Sequence, residues 1–136
     1  MKRSSTAIWH GPGKEGSGTV TARSKVLDKA FYAYGSRFEE EKGTNPEELI
    51  AAAHASCYSM KLSFVLGEAG YTPDVIEVTS TVTLEKTDIT ESHLEVRARV
   101  PGMNSERFAE CAEKTRVECP VSKALNMKIT MNASLI

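Results

Sequence analysis

Little in this chain points toward a nucleic acid, a membrane or a disulfide scaffold. Its 17 Lys and Arg are interspersed with 18 Asp and Glu, for a formal net charge of −1, and no basic run is long enough to form a patch, so polyanions and charged lipid surfaces have no electrostatic footprint. The first residues, MKRSSTAIWHGPGKEG, lack the apolar core of a signal peptide. No segment reads as approaching the ~18 consecutive apolar residues of a membrane span, and the expected location is the cytoplasm. There are only three cysteines, Cys57, Cys111 and Cys119: an odd number without a CxxC pair, which argues against both a disulfide framework and a structural zinc site. Linkers, repeats and low-complexity tracts are missing too. The 136 residues are expected to form one domain, 1–136, with a real core.

What the chain does have is one stretch of concentrated signal, Lys42 to Gly67, KGTNPEELIAAAHASCYSMKLSFVLG. Asn45 suits an N-cap, Pro46 the first helical position, and Glu48, three residues after Asn45, completes the spacing of a capping box. Glu47 and Glu48 put negative charge in the first turn, where the helix dipole favours it. Beyond them Leu49, Ile50, Ala51 to Ala53, Cys57, Met60, Leu62, Phe64, Val65 and Leu66 leave no broad polar face. A helix of that kind is expected at the centre of a domain, enclosed on all sides.

Residues 4–10 read as a short strand and 18–27 as a second, joined through the Gly11-Pro12-Gly13 turn. Residues 28–44 hold neither period for long and are expected to be a loop that delivers Arg37 and the run Glu39 to Lys42 to the helix start. After Gly67 and Gly70, which offer helix stops, residues 74–87 and 92–100 alternate with period two. Ile76, Val78, Ser80, Val82 and Leu84 share one face of the first, and Leu94, Val96, Ala98 and Val100 one face of the second. The two are expected to pair antiparallel, joined through Asp88 to Glu91. Asn104 or Ser105 caps a second helix, 105 to about 118, with Phe108, Ala112 and Thr115 inward. Pro120 interrupts it, because the residue before a proline is driven out of the helical region, and a short helical turn follows to Leu125. Residues 127–135 close the chain as a strand. The order ββ-α-ββ-α-β makes the fold class α+β.

Chemistry is sought first at Cys57, in the middle of the apolar helix. A buried free cysteine often serves as a small hydrophobe; the other reading is a reactive thiol. Cys119 favours the second, since it stands at a helix break near the free N–H groups of a new turn, which stabilise a thiolate. Cys111, in mid-helix without a charge partner, reads as structural. A thiolate in apolar surroundings needs a cation. Arg37 is the candidate, with Glu47 as a carboxylate that can orient it through two bonds of fixed geometry; the alternative makes Arg37 a solvated loop charge and Glu47 a partner of the helix dipole. For His54, three residues before Cys57, the favoured reading is a hydrogen-bonded core histidine, the others a base for Cys57 or half a metal site lacking further ligands. Trp9, His10 and His93 take strand or loop roles.

Arg37-Phe38, then EKGTNPEELIAAAHASCYSMKLSFVLGEAGYTP (Glu41 to Pro73), then CPVSKAL (Cys119 to Leu125) closely resemble the OsmC and organic hydroperoxide resistance family of thiol peroxidases, in the same order and spacing over nearly the whole chain. The FEEEKGTNPEE run and LGEAGYTP look like the OsmC branch. The resemblance implies an OsmC-like fold, with two antiparallel sheets around two central helices in an intertwined homodimer whose active sites lie at the subunit interface. It implies no cofactor or metal, a hydroperoxide substrate, and an external dithiol reductant of lipoyl type. Cys57 falls on the peroxidatic cysteine, Cys119 on the resolving one, Arg37 on the arginine that activates the thiolate, and Glu47 on its carboxylate partner. Cys111 falls on no position of the mechanism.

The expected activity is therefore reduction of organic hydroperoxides, and more weakly of hydrogen peroxide, through an intramolecular disulfide, in oxidative and osmotic stress defence. Met60, Phe64 and Tyr58, near Cys57 in sequence, are expected to wall it with apolar surface that favours an organic tail. Glu47 and Cys57 lie ten residues apart, about 15 Å of rise on one straight helix. Either the helix breaks between them, or Arg37 and Glu47 serve Cys57 of a second subunit; the second is expected. The rival readings are a redox sensor or ligand-binding protein that uses the same thiols without multiple turnover, and a structural dimeric module with inert thiols.

Overall fold

The computed structural model describes residues 1–136 as two compact units, Met1–Leu49 and Ile50–Ile136. In the first unit β1 (Ser5–His10), β2 (Ser17–Ala22) and β3 (Ala30–Ala33) form an antiparallel sheet in that order. β2 stops at Ala22, five residues short of the expected end, because the chain turns there: the Lys25 N–H donates to the Ala22 carbonyl and Lys25 takes a left-handed φ of 64°. The expected loop over 28–44 holds two elements instead. Ala30 to Ala33 pair with Val20 to Ser17, and Tyr34–Phe38 form α1. Four and five residues are too few for a period to show.

The second unit holds most of α2 (Pro46–Glu68) and then β4 (Val75–Glu85), β5 (Asp88–Arg99), α3 (Ser105–Glu118), α4 (Pro120–Ala124) and β6 (Lys128–Leu135). β4 and β5 pair antiparallel, as their alternation implied, but the connection is tighter than expected. Lys86 adopts φ 56°, which allows a two-residue turn at Lys86 and Thr87, so Asp88 to Glu91 already belong to β5. One residue of β5, Thr90, has no partner where the register shifts between Thr83 and Leu84, a bulge of the kind that sharpens local twist. β6 lies beside β5 and runs parallel to it. The second sheet is thus mixed, and α3 and α4 supply the crossover that a parallel pairing requires.

The core sits entirely in this second unit. Leu94, Val96 and Ala98 of β5 and Val100 just beyond it cluster with Tyr58, Leu62, Val65 and Leu66 of α2 and Phe108 and Cys111 of α3, all buried. α2 and α3 run antiparallel, marked by Lys61–Glu118 and Glu68–Lys114 ion pairs of 3.0 and 3.2 Å. α2 is not enclosed on all sides: Tyr58, Leu62, Val65 and Leu66 face the core, while Met60 and Phe64 are each 66% exposed. By length and composition this helix is also apolar enough to cross a membrane, contrary to the reading of the sequence. Its buried polar side chains, described below, tie it to its neighbours as a core element. Replacing Phe108, 1% exposed at the heart of this core, by alanine is expected to cost about 3–5 kcal/mol, measured by urea unfolding.

Candidate active site

Two cysteines of the second unit meet. α3 ends because Pro120 follows Cys119, which leaves the helical region with φ −58° and ψ 124° and serves at once as the last cap of α3 and the first of α4. The Cys119 N–H still donates to the Thr115 carbonyl, and the Cys119 carbonyl accepts from the Lys123 N–H, so the break is held on both sides. Because α2 and α3 are antiparallel, this break lies opposite the middle of α2. There the Cys119 thiol donates to Cys57 Sγ across 3.3 Å. Both cysteines are unbonded, Cys119 fully buried and Cys57 partly exposed. A disulfide needs the sulfurs at about 2.0 Å, so closing the bond asks for a small displacement.

Burial pushes the Cys57 thiol above its ordinary value, a backbone hydrogen bond from Val121 opposes this, and the neighbouring Cys119 adds to the rise. The lowering influence is the first turn of α4, whose N–H groups have no partner within so short a helix. It is a backbone dipole and not a side-chain charge. A nucleophilic thiolate at this position therefore still requires a cation.

The first unit holds a partly buried ion pair. α1 presents Arg37, and the first turn of α2 presents Glu47. The connection between them is tied down by Ser36, whose one hydroxyl proton lies within reach of the carbonyls of both Ala33 and Thr44, while Asn45 Nδ2 donates to the Ser36 carbonyl. Gly35 lies against the Glu41 carboxylate, which a Cβ there would strike. Arg37 Nη2 and Nε donate to Glu47 Oε1 at 2.8 and 3.2 Å, and Nε also approaches Oε2 at 3.3 Å. Glu47 is buried and Arg37 partly exposed, with its guanidinium 5.2 Å from the Phe38 ring centroid. The carboxylate thus fixes the direction of a guanidinium that keeps open donors.

His54 is wholly buried, and both ring nitrogens are engaged: Nδ1 with Ser92 Oγ at 2.7 Å and Nε2 with Ser122 Oγ at 2.8 Å. The core-histidine reading holds, and burial lowers its pKa from the ordinary 6.5. Sequence spacing gave no sign of the two serines, which belong to β5 and α4. Of the three residues expected to wall Cys57, Tyr58 turns into the core, where its hydroxyl donates to the Ala112 carbonyl at 2.8 Å, and Met60 and Phe64 stay exposed on this chain. Cys111 is buried in α3 among core side chains.

Two thiols in contact across antiparallel helices make a candidate thiol–disulfide site in an α+β frame. The family model for OsmC-like protein matches residues 39–134. Peroxiredoxin OsmC of Escherichia coli is 47% identical over 133 residues, covering 95% of this chain and 93% of the relative. The crystal structure of the organic hydroperoxide resistance protein OhrB of Bacillus subtilis aligns with a TM-score of 0.72 at 25% identity, over 98% of each chain. An OsmC-like protein from Mycoplasma pneumoniae has the same fold, with a TM-score of 0.78 at 16% identity over 100% of this chain and 98% of that one. The chain belongs to the family of OsmC-like proteins.

The buried histidine makes stability depend on pH. Folded His54 binds a proton less readily than the unfolded chain does, so below about 6.5 the unfolded state takes up the extra proton and stability falls as pH falls. The His54→Gln variant is expected to show a shallower loss of unfolding free energy between about pH 7 and pH 5 than the wild type, in urea titrations, because the titrating group is gone.

Proposed function

We propose that this protein is a cysteine-based peroxidase that reduces organic hydroperoxides to alcohols, and hydrogen peroxide more weakly, as part of the defence against oxidative and osmotic stress. The observation that carries the reading is the 3.3 Å apposition of Cys57 and Cys119, supported by 47% identity to peroxiredoxin OsmC of Escherichia coli and by the likeness to organic hydroperoxide resistance proteins. Cys57 is the attacking residue. Its thiolate attacks the outer peroxide oxygen; an S–O bond forms as the O–O bond breaks, the alkoxide leaves and takes a proton from solvent to become the alcohol, and Cys57 becomes a sulfenic acid. The Cys119 thiol then attacks the Cys57 sulfur, water leaves, and the intramolecular disulfide forms. An external dithiol, of lipoyl type in this reading, supplies two electrons and two protons to restore both thiols. Such recycling suits a reducing compartment, and we place the protein in the cytoplasm.

Arg37 holds the Cys57 thiolate ionised in this mechanism, and Glu47 orients Arg37. A continuous α2, Pro46–Glu68, supports the reading in which the pair serves a second subunit. Ten residues at 1.5 Å each separate Glu47 from Cys57 by about 15 Å of rise, so the pair of one subunit serves Cys57 of a second. Two features support a homodimer. No apolar side chain of residues 1–49 is fully buried in the single chain, although Ile8, Trp9 and Phe31 are there to be covered. The exposed Met60 and Phe64 leave an apolar face of α2 uncovered beside Cys57, where a second copy completes the wall for an organic tail.

The Cys57→Ser variant is expected to lose turnover of an alkyl hydroperoxide, and retained turnover rejects the assignment. Cys119→Ser is expected to keep the first oxidation and accumulate sulfenic acid, seen by mass spectrometry after trapping with a 1,3-dione. The shared site has its own test. Arg37→Ala and Cys57→Ser subunits, each inactive alone, are expected to regain one working site per mixed dimer when co-assembled. No recovery in isolated mixed dimers places the arginine in the same subunit as its cysteine.

A further inference from the structure

The buried polar chain that crosses the second unit has no part in the mechanism above. Ser80 Oγ of β4 lies 3.0 Å from Ser92 Oγ of β5. Ser92 bonds His54 Nδ1, and His54 Nε2 bonds Ser122. Every member is buried or half-buried, and no buried side-chain nitrogen or oxygen lacks a partner. A neutral imidazole has one donor and one acceptor, and two rotatable hydroxyls satisfy both. Neither nitrogen is free to take a proton from Cys57, so a base role does not fit.

The placement of the last bond does fit another role. His54 is three residues before Cys57 on α2, and Ser122 is three residues after Cys119 on α4. One side-chain hydrogen bond therefore joins the two pieces of backbone that carry the sulfurs, each within a turn of its cysteine. α4 has only five residues and is too short to be stable on its own. Between its ends Val121 directs its N–H at Cys57. We infer that His54 is the positioning residue for disulfide formation, holding the Cys119 turn against Cys57 through Ser122. The inference rests on the thiol pairing proposed above. It goes beyond it in assigning the second chemical step a residue that touches neither sulfur. Without the bond the α4 turn drifts, the Cys57 sulfenic acid waits longer for Cys119, and a second peroxide takes it on to the sulfinic acid.

The test separates the two steps in His54→Leu, which fills the space without the bonds, His54→Gln, whose amide can still meet a serine, and Ser122→Ala, which removes one hydroxyl. Reduced protein is mixed with one equivalent of alkyl hydroperoxide, and sulfenic acid and disulfide are followed in quenched samples. Disulfide formation is expected to slow at least tenfold in His54→Leu, less in Ser122→Ala, with His54→Gln recovering part of the rate; sulfenic acid formation changes far less, and sulfinic acid accumulates. A merely structural histidine lowers the melting temperature without altering the ratio of the two steps. In a second arm an azodicarboxamide oxidant replaces peroxide: two thiols give up two electrons and two protons, the azo bond becomes a hydrazine, and the same disulfide forms. Slowing in this arm alone, with no peroxide turnover by any variant, supports the positioning role and rejects the peroxidase reading. Wild-type disulfide rates in both His54→Leu and Ser122→Ala overturn the inference. Should His54→Leu not fold, Ser122→Ala decides by the same criterion.

Discussion

A residue that precedes proline cannot remain helical at low cost, and the site depends on that constraint. Had α3 continued past Glu118, Cys119 would be one more position on a helix, its sulfur direction set by helical phase. Pro120 instead frees Cys119 from α3, starts a new helix one residue later, and lets a single residue cap both. The break places a buried sulfur opposite α2, and it aims the Val121 N–H of a fresh turn at the partner sulfur. The antiparallel packing of α2 on α3, with its ion pairs at Lys61–Glu118 and Glu68–Lys114, sets the height at which the two cysteines meet.

Chemistry and core are distributed unequally between the two units. Ile50–Ile136 contains every fully buried apolar side chain, both sulfurs, and the His54 chain. Met1–Leu49 contains the Arg37–Glu47 pair and a three-stranded sheet whose first strand is exposed along its whole length. Forty-nine residues with so little buried apolar surface fall below what a free-standing core needs. The unit that holds the Arg37–Glu47 pair is thus the one with the least core of its own.

Legibility in the sequence followed the range of the interactions. The start of α2 was open to reading because capping is local: the Glu48 N–H donates to Asn45 Oδ1 at 2.8 Å, as the spacing implied, although the Glu48 carboxylate accepts from Thr44 instead of returning to the cap. β4 and β5 were legible through long alternation, and the break at Cys119 through a single proline. β3 and α1 were not, being shorter than any period. The parallel direction of β6 was not, since alternation reports a face and carries no direction. Cys57, Cys119, Arg37 and Glu47 stood out by residue type and through the resemblance. The partners of His54, 38 and 68 residues away, left no local trace, because a serine on a strand looks the same whether it faces solvent or a buried imidazole. The apolar run of α2 implied full enclosure, yet one chain encloses only one side of it.

Three thiols allow three pairings, and the length of α3 between Cys111 and its cap Cys119 leaves one. Cys111 lies eight residues before Cys119, about 12 Å down the axis of α3, and its α-carbon cannot reach the roughly 7 Å limit for a bond to the same partner while that helix stays intact. Cys111 is buried at the floor of a surface pocket lined by Val65, Ala69 and Lys114, away from the Cys57–Cys119 contact. In the folded chain a single intramolecular disulfide is thus within reach, with no isomers to sort, and an intramolecular bond to Cys111 requires that α3 open.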